Sequence, residues 1–159
     1  MKRVMLILAI LAMTMVAQDE IVPKLEGTIN IYRIAEDNKL EPVEENSNVK
    51  PGEVLKYEIV YVNVGDDVAK EAAFIHPVPV GTEYIDESAE GGVVQFSVDN
   101  GETYMAPPVK YEVEENGEMI EKIAQPSQYT MIKWLWQKDI DKEENAKVSF
   151  KVKVREGER

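Results

Sequence analysis

His76 is the one histidine of the chain, and it is the only side chain of its type that could act as a base near neutral pH. Hydrolytic chemistry would require a partnered nucleophile, and the sequence contains no Gly-x-Ser-x-Gly elbow that would supply one. A histidine directly before Pro77 is more easily explained as a structural residue of a loop. The sequence therefore predicts a structural His76 and a protein that is not an enzyme.

Carboxylates form the second group of side chains that could carry chemistry. Two of them could flank a glycosidic bond, but the sequence places no pair at the separation that this reaction requires. Loop carboxylates could also bind calcium, and Asp66, Asp67 and Asp99 are the best-placed candidates. They lack the dense spacing of a calcium loop, which favours turn residues and predicts no metal site. The remaining acidic clusters are Glu36-Asp37, Glu41-Glu44-Glu45 and Glu112-Glu114-Glu115-Glu118.

The composition excludes several further classes of protein. The 159 residues include 30 acidic and 18 basic side chains, and the resulting net charge of -12 repels phosphate and disfavours nucleic-acid binding. The chain has no cysteine, so disulfides, thiolate zinc sites and iron–sulfur clusters are excluded. A single histidine cannot build the multi-histidine site of a catalytic zinc. We therefore predict no cofactor.

A cluster of positive charge stands out near the C-terminus of this acidic chain. Val148, Phe150 and Val152 alternate with polar residues, which predicts a strand with one face in the core. The basic residues of the other face would either protect an exposed edge from pairing with another chain or dock on an acidic surface of a neighbouring copy or another surface polymer. This candidate interaction strip comprises Lys147, Lys151, Lys153 and Arg155.

The N-terminus has the pattern of an export signal. Lys2 and Arg3 precede an apolar run of 14 residues from Val4 to Ala17, and polar residues follow from Gln18. The pattern predicts a helical secretory signal peptide, residues 1–17, that is cleaved after Ala17. A spanning helix needs about 20 residues, which disfavours a permanent anchor, and an uncleaved anchor is the alternative to the cleaved signal. Loss of two basic residues would change the net charge from -12 to -14, and the protein would lie in the periplasm, at the cell surface or outside the cell.

Short strands separated by turns dominate the rest of the chain. Leu55, Tyr57 and Ile59 recur with a period of two, which predicts a strand with one better-buried face. The pairs Asn100-Gly101 and Asn116-Gly117 predict hairpin turns, because both residue types tolerate a positive φ. No extended helical period occurs after residue 21. The sequence predicts a lead-in over residues 18–28 and one antiparallel β-sandwich domain over residues 29–159.

Five motifs in a fixed order connect these strands to a known family. The series resembles the repeat domain of bacterial and archaeal surface proteins that is catalogued as domain of unknown function eleven. The resemblance covers roughly Ile29 to Val154. The motifs are Pro-Gly-Glu at 51–53, Tyr-Glu-Ile-Val-Tyr-Val-Asn-Val-Gly at 57–65, Pro-Val-Pro-Val-Gly-Thr-Glu-Tyr at 77–84, Phe-Ser-Val-Asp-Asn-Gly at 96–101 and Trp134.

The resemblance implies an immunoglobulin-like antiparallel β-sandwich in an exported protein, of a kind that often occurs in tandem arrays on large surface polypeptides. It implies no catalytic residue. One departure is His76, which stands where the family usually has an aspartate. Trp134 is expected in the core between the sheets, and Trp136 on the same face would extend that aromatic cluster.

Two classes of function remain open from the sequence. The first is an exported, non-enzymatic structural or protein-interaction module of the cell envelope or cell surface, whose partners are other envelope or surface proteins or further copies of itself. The second is an extracellular module that binds glycan or peptide, which calcium could assist. Exposed aromatic residues would distinguish them, because Tyr104, Tyr129 or Trp136 side by side on a surface would suggest a sugar platform.

Overall fold

The computed structural model describes residues 22–44 and 47–156, and its regular elements are β-strands and one short 3-10 turn. The predicted signal peptide over residues 1–17, its cleavage before Gln18, and Glu45 lie outside the described residues. The fold is all-β with antiparallel sheets, as the strand periodicity predicts. The elements are β1 (Leu25–Ile34), β2 (Leu40–Pro42), β3 (Val54–Asn63), β4 (Ala73–Pro77), β5 (Thr82–Tyr84), β6 (Val93–Ser97), β7 (Lys110–Glu115), β8 (Glu118–Ile123), the turn Pro126–Gln128, β9 (Met131–Leu135) and β10 (Asn145–Val154).

The larger sheet has the strand order β2-β1-β3-β10-β5. Strand β3 lies at its centre and pairs with β1 from Leu25 opposite Asn63 to Arg33 opposite Leu55 without a bulge. Leu55 and Ile59 are buried, and Tyr57 between them stacks on the core residue Phe150. Lys56 and Glu58 point to the other side of the sheet. The predicted alternation of β3 is therefore confirmed, because a strand that is buried on one face places every second residue in the core.

The smaller sheet has the strand order β4-β9-β6. Ile132 and Trp134 of its central strand β9 are 0% exposed. Pro77 ends the edge strand β4, which agrees with the expectation that a proline without a backbone donor lies outside a central ladder.

The core lies between the inner faces of these two sheets. The rings of Trp134 and Phe150 are 5.9 Å apart between centroids, and those of Tyr84 and Phe96 are 4.9 Å apart. Each pair joins a strand of one sheet to a strand of the other. The two sheets therefore pack face to face, and the prediction that Trp134 belongs to the core is confirmed.

A third pair of strands, β7 and β8, forms a separate hairpin. Its turn consists of Asn116 with φ 55° and Gly117 with φ 85°, as the Asn-Gly signal predicts. The backbone of Ala124 donates to the carbonyl of Val109 at 2.8 Å, and both residues are buried, which attaches the base of the hairpin to the core.

The structure departs from the sequence prediction at the start of the domain and at two short strands. Strand β1 begins at Leu25, inside the predicted lead-in over residues 18–28. Strands β2 and β5 have three residues each, which is too short for a period of two to be recognised. The Asn100-Gly101 turn also has positive φ at both residues, but the chain returns to β6 through a single bridge between Phe96 and Met105.

Candidate functional site

His76 lies half-buried on the inner side of β4, where the ring of Trp134 lies edge-on to it at a centroid distance of 6.2 Å. Its Nε2 atom is 2.5 Å from the hydroxyl oxygen of Tyr61, and the two groups share a hydrogen bond. Burial lowers the pKa of His76 and raises the pKa of Tyr61, so both groups are neutral at pH 7. Within the described part of the chain, the hydrogen-bond partner of the imidazole is thus a phenol in the core and not an activated nucleophile.

Tyr61 holds this arrangement together by touching three strands. Its ring stacks on Phe74 at a centroid distance of 3.9 Å. On the other side it lies against Gly27 of β1, where an added Cβ would be 2.9 Å from the ring. A side chain at position 27 would therefore push the ring of Tyr61 away from His76. The sequence shows a glycine at position 27, but only the register between β1 and β3 shows that this glycine leaves room for the ring of Tyr61.

The three aspartates considered for calcium have other partners. Asp66 pairs with Lys142 at 2.6 Å, and Asp67 accepts a hydrogen bond from the backbone of Val68 at 2.8 Å. Asp99 accepts three hydrogen bonds from the hydroxyls of Ser97 and Thr103 and from the backbone of Thr103, which hold its pKa far below the usual range. Residues 22–44 and 47–156 contain no group of three or more His, Cys, Asp or Glu side chains that could hold a metal ion. These aspartates act as turn residues.

Asn63, the last residue of β3, is fully buried and uses its whole amide group. Its Oδ1 accepts hydrogen bonds from the backbones of Lys24 and Gly65, and its Nδ2 donates to the carbonyls of Asp67 and Ile140 at 2.7 and 2.9 Å. A buried amide that makes all these bonds avoids the free energy of an unsatisfied polar group. The Asn-x-Gly motif therefore joins three chain segments and has a structural role.

The glutamate cluster near residues 112–118 lies on the β7–β8 hairpin. Its members are exposed and divided between the two faces of the hairpin, because Glu112 and Glu114 alternate with Glu115. Glu115 forms an ion pair with Lys122, and Glu121 forms one with Lys110 at 2.7 Å. The register of the hairpin sets Glu115 opposite Glu118 and Glu112 opposite Glu121 on an exposed surface. None of the described hydrogen bonds joins two of these carboxylates.

The three aromatic residues considered for a sugar platform have different surroundings. Tyr129 is buried and stacks on Phe96 at a centroid distance of 4.4 Å. Trp136 packs edge-on against Phe74 at 6.1 Å, as expected for an extension of the core cluster. Tyr104 lies beneath the ammonium group of Lys133. They do not form a shared exposed surface.

The loop after β2 contains one further spacing that could carry chemistry. Ser47 and Lys50 match the Ser-x-x-Lys pattern of one class of serine nucleophile. Both residues are exposed in a loop. The backbone of Ser47 donates to Glu44, and that of Lys50 donates to Glu53. The described contacts do not join the hydroxyl to the ammonium group, so the spacing gives no activated serine.

The candidate interaction strip lies on an inner strand of the larger sheet. Strand β10 pairs with β3 over its length on one side, and β5 and residues 85–90 cover the other side. The interpretation of these basic residues as protection of an exposed edge is therefore wrong. Lys147, Lys151 and Lys153 instead point outward from the middle of the sheet.

The outer surface of the larger sheet carries glutamates as well as lysines. We call this surface the β10 face, and it comprises the outward side chains of β3, β10 and β5. Lys147 pairs with Glu58 at 3.3 Å, and Lys56 pairs with Glu90 at 3.5 Å. Arg155 turns away from the strip and donates to the carbonyls of Thr82 and Ser127 at 3.0 and 2.9 Å. The structure thus brings the three lysines together but separates Arg155 from them.

The outer surface of the smaller sheet has a different character. We call it the β9 face, and it comprises the outward side chains of β4, β9 and β6 together with Tyr104. Ile75 and Val93 are 45% and 47% exposed. Lys133 is the one charged residue in these three strands, and its ammonium group lies 5.2 Å from the ring centre of Tyr104. The face is therefore largely apolar, with one cation near its middle.

In comparisons with known proteins, no family model, no curated protein and no solved structure matches the chain. Within the residues that the structure describes, no helix has the length and apolar character needed to cross a membrane.

Proposed function

We propose that this chain is an exported, non-enzymatic structural or protein-interaction module of the cell envelope or cell surface, built as an immunoglobulin-like β-sandwich. The β9 face is the surface through which it contacts its main partner. Export rests on the N-terminal pattern of basic residues, apolar run and polar exit.

The observation that carries the proposal is the absence of carboxylates from the β9 face. The chain has 30 acidic residues, yet none lies in β4, β6 or β9. Exposed Ile75 and Val93 instead form an apolar surface on a protein that has ample charge elsewhere. Contiguous apolar surface of this kind typically marks a site of contact with another protein, because exposing it to water is unfavourable.

Lys133 indicates the chemistry of the partner. It lies opposite Ile75 and Gln95 on the neighbouring strands, so its charge is near the middle of the face. Its position over the ring of Tyr104 holds the ammonium group in place. A matching surface would be apolar and would carry a carboxylate opposite Lys133, which would fix the orientation of the complex. We expect such a surface on another envelope protein.

One feature supports the immunoglobulin-like assignment. The two main sheets are antiparallel and pack face to face around Trp134 and Phe150, which is the arrangement of such sandwiches.

Two features support a non-enzymatic role. His76 shares its hydrogen bond with Tyr61, and Asp99 is occupied by Ser97 and Thr103. The alternative function, an extracellular module that binds glycan or peptide, would require a platform of exposed aromatic residues. The burial of Tyr129 and the packing of Trp136 on Phe74 do not favour it.

Site-specific photo-crosslinking in the native envelope tests the proposal. A photoreactive phenylalanine analogue at Ile75 should give one discrete adduct with another envelope protein. The same analogue at Val80, which is fully exposed in the loop before β5, is the matched control and should give no such adduct. Lys133→Glu should abolish the adduct at position 75 while the domain remains folded. Equal labelling from both positions would contradict the proposal.

Export has its own test. N-terminal sequencing of the protein from the envelope fraction should begin at Gln18. A retained Met1 in that fraction would indicate an anchor, and recovery of the chain only from the cytoplasm would contradict export.

A further inference from the structure

The dipeptide Asn-Gly occurs twice in the chain, at Asn100-Gly101 and at Asn116-Gly117. In this dipeptide the backbone nitrogen of the glycine can attack the side-chain amide carbon of the asparagine. Glycine favours the attack because it has no Cβ to shield its nitrogen and because its backbone rotates freely. The local sequence therefore gives both pairs the same reactivity, and the fold decides which pair can react.

The reaction is a cyclisation followed by hydrolysis. The glycine nitrogen loses its proton and forms a bond to Cγ of the asparagine, the side-chain amide leaves as ammonia, and a five-membered succinimide ring remains. Water then opens the ring. Attack of water at Cγ restores the normal backbone and leaves an aspartate, whereas attack at the backbone carbonyl carbon leaves an isoaspartate. Water is the only co-reactant, and nothing is oxidised or reduced.

The reacting groups of Asn116-Gly117 are open to solvent. Both residues are exposed at the tip of the β7–β8 hairpin. A Cβ added to Gly117 would meet no other atom within 4 Å. None of the described hydrogen bonds uses the backbone nitrogen of Gly117 or the side-chain amide of Asn116. No described contact therefore has to break before the nitrogen and the amide carbon can meet.

The position of this turn also makes local opening easy. The amide carbon must come within bonding distance of the nitrogen, so the turn has to change its backbone conformation briefly. Such opening requires least free energy where few contacts are lost. Residues 114–119 are all exposed, and the hairpin is attached to the core at its far end, through Val109 and Ala124.

The other pair, Asn100-Gly101, is held by hydrogen bonds. The backbone N–H of Gly101 donates to Oγ of Ser97 at 2.9 Å, and that of Asn100 donates to Oγ1 of Thr130 at 3.0 Å. Ser97 is 1% exposed, and its hydroxyl donates to Asp99 at 2.6 Å. The glycine nitrogen is therefore tied to a buried side chain, and this bond must break before the nitrogen can attack.

We propose that Asn116 is a modification site at which the folded protein spontaneously converts the asparagine into aspartate and isoaspartate, whereas the fold protects Asn100. The distinction rests on the hydrogen bond of Gly101 and on the free nitrogen of Gly117. The proposal uses no residue of the β9 face and does not depend on the proposed function.

The modification changes both the charge and the backbone of the hairpin. It adds one negative charge, which takes the net charge of the chain from -12 to -13. The new carboxylate lies beside Glu115 and Glu118, which the register sets opposite each other. Isoaspartate also lengthens the backbone of a two-residue turn by one carbon, which does not fit the conformation that such a turn requires. The modified tip therefore loses its register, while the two packed sheets remain.

Peptide mapping of the purified protein tests the proposal. Cleavage after lysine gives one peptide of residues 71–110 and one of residues 111–122, and each contains a single asparagine. The folded protein is incubated in mildly alkaline buffer, and mass spectrometry gives the converted fraction of each peptide relative to a sample taken at the start. Peptide 111–122 should convert roughly tenfold faster than peptide 71–110, because one hydrogen bond of ordinary strength holds the nitrogen in the slower pair.

Unfolding in urea is the matched control. The two pairs then lie in an open chain with the same reacting groups, so both peptides should convert at comparable rates. Asn116→Gln removes the reactive pair and should leave peptide 111–122 unconverted in the folded protein.

Ser97→Ala tests the cause of the protection. It removes the acceptor of the Gly101 N–H and should raise the conversion of Asn100 while that of Asn116 stays the same. If this variant does not fold, amide hydrogen exchange in the wild type replaces it. The amide of Gly117 should exchange rapidly, and that of Gly101 should exchange more slowly by roughly tenfold.

Three results would overturn the proposal. The first is a folded protein whose Asn116 stays intact over the time that converts it in urea. The second is equal conversion of Asn100 and Asn116 in the folded protein. The third is an amide of Gly101 that exchanges as fast as that of Gly117. Failure of the crosslinking at Ile75 would leave all three results unchanged, because the crosslinking probes a different strand.

Discussion

The β10 face and the β9 face are the outer surfaces of two sheets that share one core. On the β10 face, lysines alternate with Glu58, Glu83 and Glu90, and Lys147 pairs with Glu58. On the β9 face, exposed Ile75 and Val93 surround the single charge of Lys133. Both faces follow the same alternation of inward and outward side chains.

The difference between the faces shows that alternation alone does not make an outer face compatible with water. The β10 face meets solvent with charges of both signs, which suits a surface that remains free. The β9 face lacks this protection although the chain has many carboxylates. Its composition is better explained by a partner than by solubility, and the following changes should break or sharpen this contrast.

The largest effect is expected in the core that supports both faces. Trp134→Ala should lower the free energy of unfolding by about 3–5 kcal/mol, because it removes a large side chain that is fully buried against Phe150. Urea denaturation measures the change. Trp136→Ala is the control and should cost less, because Trp136 is only partly buried. A loss below about 1 kcal/mol for Trp134→Ala would contradict the packing.

The next effect concerns the hydrogen bond that attaches β4 to the larger sheet. Tyr61→Phe keeps the stacking on Phe74 but removes the hydroxyl that meets His76. It should cost about 0.5–1.5 kcal/mol, and amide exchange should show that β4 opens more readily than β3. Equal loosening of all strands would mean that the bond has no local role.

The same contact should make the protein sensitive to mild acid. Burial lowers the pKa of His76 below its usual 6.5, so the unfolded chain binds a proton more readily than the folded protein. The stability from the neutral imidazole is therefore full above pH 6.5 and is lost as the pH falls through the lowered pKa. Thermal unfolding from pH 7 downward measures it. His76→Gln should remove the pH dependence in this range, whereas the paired carboxylates respond only at lower pH.

Substitutions on the two faces themselves should change the stability less than those above. One of them should change binding strongly. Ile75→Glu and Lys151→Glu should each change the free energy of unfolding by no more than about 0.5 kcal/mol, because both side chains point outward. Only Ile75→Glu should abolish capture of the envelope partner. Loss of capture with Lys151→Glu alone would transfer the function to the β10 face.

A small effect that depends on salt is expected for the ion pairs of the β10 face. Lys147→Ala should cost at most about 0.2–1 kcal/mol at low salt and nothing measurable at high salt, because the pair with Glu58 is partly exposed. Lys138→Ala, at another exposed lysine, is the control. A cost that persists at high salt would indicate packing by the lysine stem.

Local pattern was enough to determine a large part of this protein. The period of two in β3 and β10 placed Ile59 and Phe150 in the core, and the Asn116-Gly117 pair specified a hairpin turn. Trp134 could be assigned to the core from its strand. These features depend on neighbours within a few residues, so side-chain alternation and backbone preferences suffice to predict them.

Tertiary structure alone decided which strands are edges and which side chains meet. Lys147 and Glu58 are 89 residues apart in the chain, and Lys142 and Asp66 are 76 apart. No local pattern states that β10 lies inside its sheet or that His76 meets Tyr61. These outcomes depend on the order and register of strands from distant parts of the chain, which the packing of the two sheets around one core fixes.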